Sequence, residues 1–292
     1  MNSPQPWSPL LLKGVPALFV FLWATGFIGA KYGLPYAEPM TFLAWRMGLA
    51  ALLLLAFALA TRAPWPPNPL AAIHVTVAGL LVHGGYLGGV FEALHHGMPA
   101  GMVSLIVGMQ PVLTSLAAIA LLGERLARRQ WAGLALGVAG LALVLGHRVS
   151  LADLDWTSAS LALFALVSIS LGTVYQKRFF AGVDLRTGGV LQYAASGLCY
   201  AGLAWAFETR HVTWSPTFVL ALSWSVLGLS LGAVALLYRL LREGAASRVS
   251  SLLYLVPPVT ALIAYGAFGE TLTLPALGGM LLAVLGVALV VA

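Results

Sequence analysis

Polar residues along this chain come in short clusters, and long apolar stretches run between them. Windows free of Asp, Glu, Lys and Arg cover residues 14–30, 63–91, 93–123, 130–146, 156–176, 187–207, 211–238, 249–269 and 271–292. A helix that crosses the hydrocarbon core of a bilayer needs roughly 20 mostly apolar residues. Turn residues divide the windows further: Pro35 and Pro39, the "APWPPNP" run at 63–69, Pro99, Pro216 and Pro275. The pattern predicts ten helical segments, at about 14–34, 39–61, 70–94, 98–122, 129–146, 157–178, 185–207, 215–241, 245–268 and 272–292.

Composition turns this pattern into a class. The 292 residues are 60% hydrophobic and 8% charged, whereas a soluble domain carries about 25% charged residues. The expectation is an all-α membrane protein with short loops, its main partner the lipid bilayer. The first apolar segment is read as a span and not as a cleaved leader, because it is long and lacks a clear small-residue cleavage site. One cysteine, Cys199, excludes an intrachain disulfide.

Charge then gives direction. Lys13, Arg62, Arg125, Arg128, Arg129, Lys177, Arg178, Arg186, Arg239, Arg242 and Arg248 fall on the side of the N-terminus, eleven in all. Lys31, Arg148 and Arg210 fall on the other side, and Arg46 lies inside the second segment. Cytoplasmic loops hold the excess of Lys and Arg, so both termini are predicted cytoplasmic. The formal charge of +6 therefore reports topology, and no nucleic-acid partner is expected.

The two halves of the chain repeat. "GERLARRQWAGLALGVAGLALVL" (123–145) aligns with "GETLTLPALGGMLLAVLGVALVV" (269–291) at an offset of 146. Gly123 and Glu124 match Gly269 and Glu270, Gly133 matches Gly279, and Gly140 matches Gly286. Pro111 pairs with Pro258 at an offset of 147, and Gly26 with Gly172 and Lys31 with Lys177 give a fainter match. The predicted units are 1–146 and 147–292, each with five segments. Five is odd, so the second half is predicted to enter the bilayer from the opposite side. Inverted repeats of this kind belong to transporters, with substrate near the midplane.

"GMQPVLTSLAAIALLGERL", repeated as "YLVPPVTALIAYGAFGETL" before a glycine-rich last helix, resembles the EamA module of the drug/metabolite transporter superfamily. Two modules in one chain resemble the bacterial ten-helix exporters of the inner membrane, and the overall impression is closest to those for aromatic amino acids. The resemblance implies alternating access around a central cavity lined mainly by segments 1, 3, 4, 6, 8 and 9, with 5 and 10 as scaffold.

Depth, counted at 1.5 Å per residue, selects the candidate cavity residues. Trp23, Thr25, His83, Tyr86, Gln110, Ser168, Ser170, Ser225, Ser230 and Tyr254 lie near the centres of these six segments. Trp23, His83, Tyr86, Gln110, Ser230 and Tyr254 are the candidates for binding substrate. Gly79, His83 and Tyr86 share one helical face at i, i+4 and i+7, a face expected to look into the cavity. Tyr193 and Gln192 on segment 7 are expected to fall outside it. Glu92 lies on the face opposite His83 and near the segment end, where a structural pair with Arg46 is expected. Pro111, Pro257 and Pro258 interrupt segments 4 and 9 and are expected to kink them, freeing carbonyls that a cavity tolerates. Tyr175 is a candidate gate residue. Glu124 and Glu270 are each expected to cap the helix that follows.

These residues suit a neutral or zwitterionic, partly apolar substrate: an amino acid, or an amphiphilic drug. No Walker loop G-x-x-x-x-G-K-[ST] is present, so direct ATP drive is excluded and no cofactor is expected. An intramembrane enzyme would want catalytic or metal motifs such as H-E-x-x-H, which is absent, and Asp153, Asp155 and Asp184 all fall in loops. A channel would show charged rings or a repeated filter. One chain holds both repeats, so a monomer can complete a site, and nothing forbids a dimer. The charge asymmetry makes a direct prediction. Green fluorescent protein fused after Ala292 will fluoresce in intact bacterial cells, and alkaline phosphatase at the same place will be inactive; the reverse pair would invert the topology.

Overall fold

The computed structural model describes residues 9–122, 127–148, 155–179, 182–234, 236, 253–270 and 272–291. Glu124 and the start of the ninth predicted segment lie outside them. Among the described residues the regular elements are helical, and the extended feature is an isolated β-bridge between Ala37 and Val212.

Side-chain caps or prolines start several of the helices where the sequence is punctuated. α1 runs Pro9–Gly33 and α2 Pro39–Ala60. α3, Pro69–Gly79, opens on Asn68, whose side chain accepts from the Ala71 amide. A π-helical stretch, Leu80–Gly85, continues it directly into α4, Tyr86–His95. Then come α5, Ala100–Gly108, and α6, Gln110–Leu122, followed by α7, Arg128–Arg148, and α8, Trp156–Phe179. α9, Leu185–Phe207, is capped by Asp184, and α10, Pro216–Ser223, by Ser215. A proline at the first helical position loses nothing, since its missing N–H would be unpaired there anyway. α10 runs into a second π-helical stretch, Trp224–Ala233. A 3₁₀ turn, Leu253–Leu255, leads into α11, Val256–Phe268, and α12 spans Leu274–Val291.

Among the described residues, six stretches are long and apolar enough to cross a membrane: Gly14–Gly33, Pro39–Ala60, Pro69–His95, Ala100–Ala117, Trp156–Phe179 and Pro216–Ala233. The outside of the bundle is apolar as well. Leu198, Trp205, Phe207, Leu220 and Leu274 are each more than 70% exposed, which water would penalise and lipid does not. The interior holds fully buried Phe19, Phe42, Phe91 and Phe218.

The prolines fall at interruptions of the helices. Segment 4 is interrupted at Met109, ending at Gly108 and resuming at Gln110, so Pro111 takes the second position of α6. Pro257 takes the second position of α11 in the same way. In the first turn of a helix a proline has no preceding turn to clash with, and its missing N–H would be unpaired there anyway.

α7 and α12 run along each other, as do α2 and α9. Glycine sets the first contact. A Cβ on Gly140 would lie 2.5 Å from the Gly279 carbonyl oxygen, and a Cβ on Gly286 would lie 2.5 Å from the Gly133 carbonyl oxygen. The offset of 146 exchanges these two contacts, so the packing itself has approximate two-fold symmetry. Close approach of small residues supplies the dispersion that holds helices together in lipid.

At the end of the bundle that holds the α1–α2 turn, acids tie separate elements together. Glu208 follows α9 and accepts from the amides of Met40 and Thr41 at 2.7 Å each, capping α2 from a distance. Glu270 follows α11. It accepts from the Ala100 amide at 2.9 Å and pairs with Lys31 Nζ at 2.6 Å. It therefore caps α5 and not the following α12, where Thr273 Oγ1 accepts from Ala276 instead. Glu38 accepts from the Thr209 amide at 2.7 Å and from its hydroxyl at 2.5 Å. That hydroxyl, with the backbone amides of Thr209 and Arg210, holds the Glu38 carboxyl below the ordinary carboxylate range.

The α7–α12 contact leaves no room for a side chain. Gly140→Leu and Gly286→Leu should each destabilise the detergent-solubilised protein by about 1–3 kcal/mol, read as a lower melting temperature. Unchanged melting in either variant would contradict the packing described.

Candidate functional site

Two adjoining cavities open inside the bundle. The larger, about 100 Å³, is lined by Trp23 and Phe27 of α1, Arg46 of α2, His83 and Tyr86 of the third segment, Ile169 of α8, Tyr193 of α9 and Ser230 of the second π-helical stretch, among others. The smaller, about 20 Å³, is lined by Trp23, Phe27, Ser104, Gln110, Pro111 and Val256, among others. Trp23 and Phe27 belong to both, so these two rings form the partition.

Both π-helical stretches border this space, and they are equivalent in the repeat: the offset of 146 carries 80–85 onto 226–231, inside 224–233. A π turn widens the helix and turns carbonyls away from the usual i+4 amide, and such turns concentrate at functional sites. Neighbouring side chains take up the carbonyls of the first stretch and its approach. Tyr200 Oη donates to the carbonyls of His83 and Gly84, at 2.6 and 2.5 Å. Ser196 Oγ donates to Gly79 O at 3.1 Å and Ser168 Oγ to Leu81 O at 3.0 Å. In the second stretch Tyr193 Oη donates to Ser230 O at 2.8 Å. Tyr193 and Tyr200 both belong to α9, two turns apart.

The polar hub of the larger cavity is Ser230. Its Oγ accepts from Arg46 Nε at 3.2 Å and donates to Ser225 O at 3.1 Å. Tyr193 also packs against the His83 ring, with centroids 4.7 Å apart. Arg46 is only 7% exposed. Residues 228–232 read Gly-Leu-Ser-Leu-Gly, the spacing of a hydrolase nucleophile elbow, but that motif requires a strand-to-helix turn. Here the serine lies within a helical stretch and its hydroxyl is occupied.

Of the residues singled out from sequence, Trp23, His83, Tyr86 and Ser230 line the larger cavity, and Trp23, Gln110 and Pro111 the smaller. Gln110 Nε2 also donates to Thr173 Oγ1 at 3.1 Å. Pro257 meets Gly108, where a Cβ would lie 2.6 Å from the proline Cγ, so the interruptions of segments 4 and 9 touch each other. Pro258 follows in the first turn of α11. Tyr254 belongs to the 3₁₀ turn before α11, and its side chain lies outside the described ones. Tyr175 lies away from both cavities. Its hydroxyl shares a 2.7 Å hydrogen bond with His74 Nδ1, and Phe179 stacks on the same imidazole with centroids 4.2 Å apart.

Four expectations change. Gly79 faces α9 and not the cavity, with a Cβ there lying 2.5 Å from Gln192 Cα; the π turn between Gly79 and Tyr86 shifts the helical phase on which the shared face depended. Tyr193 lines the larger cavity because α9 runs beside the third segment. Segments 2 and 7 therefore join the lining. Glu92 does not pair with Arg46: its Oε2 lies 3.7 Å from His96 Nδ1, one turn along, while Arg46 turns to Ser230. Thr25, Ser168 and Ser170 spend their hydroxyls on other side chains or carbonyls and do not border the larger cavity.

A polytopic helical bundle with its polar groups gathered around an internal cavity is the architecture of a membrane transporter. The sequence model of the EamA-like transporter family matches residues 13–146 and again 156–292, and the chain belongs to that family. Its function is transport and not enzyme catalysis. The uncharacterized transporter YvbV of Bacillus subtilis is 30% identical over 98% of this chain and 92% of its own. The uncharacterized inner membrane transporter YedA of Escherichia coli is 29% identical over 88% and 82%. A probable amino-acid metabolite efflux pump of Salmonella typhimurium is 27% identical over 92% and 91%. One crystal structure, 21% identical, superposes with a TM-score of 0.67 over 97% of this chain and 98% of that one, a likeness of fold.

The Tyr200 hydroxyl shares its one proton between the carbonyls of His83 and Gly84, at the end of the first π-helical stretch. Tyr200→Phe should destabilise the protein by about 1–3 kcal/mol and shift its melting in detergent downward. A melting temperature equal to wild type would show that the π turn stands without it.

Proposed function

We propose that this chain is a secondary transporter that exports small neutral or zwitterionic, partly apolar metabolites, amino acids and above all aromatic ones, across a bacterial inner membrane. In this reading it crosses the bilayer ten times as two inverted five-helix repeats, 1–146 and 147–292, with both termini in the cytoplasm. A monomer suffices for one complete route. The observation that carries the substrate class is the lining of the larger cavity. Trp23, Phe27 and Ile169 give it an apolar wall, and Arg46, His83, Tyr86 and Ser230 give it a polar face. The relative named a probable amino-acid metabolite efflux pump supports the same class.

The Lys31–Glu270 end of the bundle is external under this topology. Glu270 joins α1, α5 and the α11–α12 turn, while Glu208 joins α9 to α2. These bonds close the outer gate, and export requires them to part. Pro111, Pro257 and Pro258 lie where α5–α6 and α11 are already interrupted, and they serve as hinges. Tyr175, with His74 and Phe179, belongs to the cytoplasmic gate.

Counterflow in proteoliposomes tests the substrate. Vesicles loaded with unlabelled phenylalanine should accumulate external labelled phenylalanine, saturably and only when protein is present. His83→Ala and Tyr86→Ala should lower this rate at equal reconstituted protein. Lack of exchange for every amino acid, with exchange of an amphiphilic drug such as ethidium, would move the substrate to that class. The gate has its own test. In a Cys199→Ser background, a cysteine replacing Ser104 should react faster with external membrane-impermeant maleimide when Glu270→Gln is added. Equal labelling would reject Glu270 as an outer latch.

A further inference from the structure

Arg46 is the unusual group of the cavity. A guanidinium stays charged at any physiological pH. Held inside a membrane protein without an anion, it is strongly disfavoured by the loss of its hydration. Among the described residues no carboxylate lies within 4 Å of it, and its one hydrogen bond runs from Nε to Ser230 Oγ. The titratable groups around it are the phenols of Tyr86, Tyr193 and Tyr200 and the imidazole of His83. None of these supplies a full negative charge. The side chain is nevertheless held in place. Ser230 is anchored twice, by its Oγ on Ser225 O and by its carbonyl on Tyr193 Oη. Those bonds fix Nε and leave the two Nη groups of the fork for another acceptor.

The surroundings define what that acceptor must be. The guanidinium lies on the lining of the larger cavity, together with Trp23, Phe27, Val90, Phe91 and Leu229. A planar fork of N–H donors matches a carboxylate, with two parallel charge-assisted hydrogen bonds. An apolar wall opposite matches a hydrocarbon or aromatic body.

We infer that Arg46 is the anchor for the carboxylate of the transported molecule, held ready by Ser230, and that substrates are therefore apolar carboxylates, amino acids among them. The inference rests on the transporter reading above and narrows it. Binding removes the cost of the lone buried cation, so the carboxylate is selected by the charge it neutralises. An uncharged isostere cannot do this. A phosphorylated substrate is too highly charged for one guanidinium.

Calorimetric titration of the detergent-purified full chain at neutral pH tests this with two probes, 3-phenylpropanoate and its amide. Wild type should bind the acid about ten- to a hundredfold more tightly than the amide. Arg46→Gln should abolish that preference. Arg46→Lys, which keeps the charge but not the fork, should retain part of it. The comparison of acid with amide on wild type needs no variant, so it stands if Arg46→Gln fails to fold. Equal affinity of wild type for acid and amide, binding of neither, or an acid preference that survives in a folded Arg46→Gln would overturn the assignment. The same protein in phenylalanine counterflow separates the two levels. Acid preference through Arg46 without amino-acid exchange leaves the anchor standing and refutes the amino-acid reading. Amino-acid exchange with equal acid and amide binding does the reverse.

Discussion

A carbonyl released from an α-helix inside a bilayer has no water to turn to, and each one left unpaired costs several kcal/mol. The centre of this protein is organised by that constraint. The third and eighth segments widen into π turns beside the cavity. Tyr193, Tyr200, Ser196 and Ser168 donate to carbonyls in these turns or at their edges. Glycines at 79, 85 and 89 bring the third segment close enough to α8 and α9 for those short bonds to form. Polar residues, glycines and aromatic hydroxyls in this region are therefore one arrangement, and the cavity is the space it leaves.

The same economy recurs at the ends of helices. α2 and α5 begin without a side-chain cap of their own, and acids from distant turns, Glu208 and Glu270, supply it. A carboxylate at a helix N-terminus meets the positive end of the helix dipole. In Glu270 that attraction is shared with Lys31, whose ammonium also lies 4.6 Å from the centre of the Phe268 ring. Local capping would stabilise each helix alone. Capping from a distance makes the stability of one helix depend on where another one stands.

Much of the helical organisation was legible in the chain, because long apolar windows and proline punctuation are local signals. The repeat was legible for a similar reason: Gly133, Gly140, Gly279 and Gly286 are needed for backbone contact, so their spacing survives in an otherwise monotonous sequence. The π turns were not legible. A helical wheel assumes 100° per residue, and one extra residue in a turn moves Gly79 off the face of Tyr86. Tyr193 and Arg46 were missed or misplaced for a different reason. Depth along a helix can be counted from its ends, but the direction in which α2 and α9 face follows only from which helices they pack against. Glu92 matches Arg46 in charge and depth, but its carboxylate lies beside His96, one turn along the same helix.

One feature of α9 bears on movement. Tyr200 grips the third segment and Tyr193 the eighth, and these bonds leave the same helix two turns apart. The third segment belongs to the first half of the chain and the eighth to the second. α9 therefore acts as a tie rod between the halves. If either segment tilts, its bond must travel with α9 or break, and travelling α9 pulls on the opposite segment. A displacement of either segment along α9 would therefore cost one of these two hydrogen bonds.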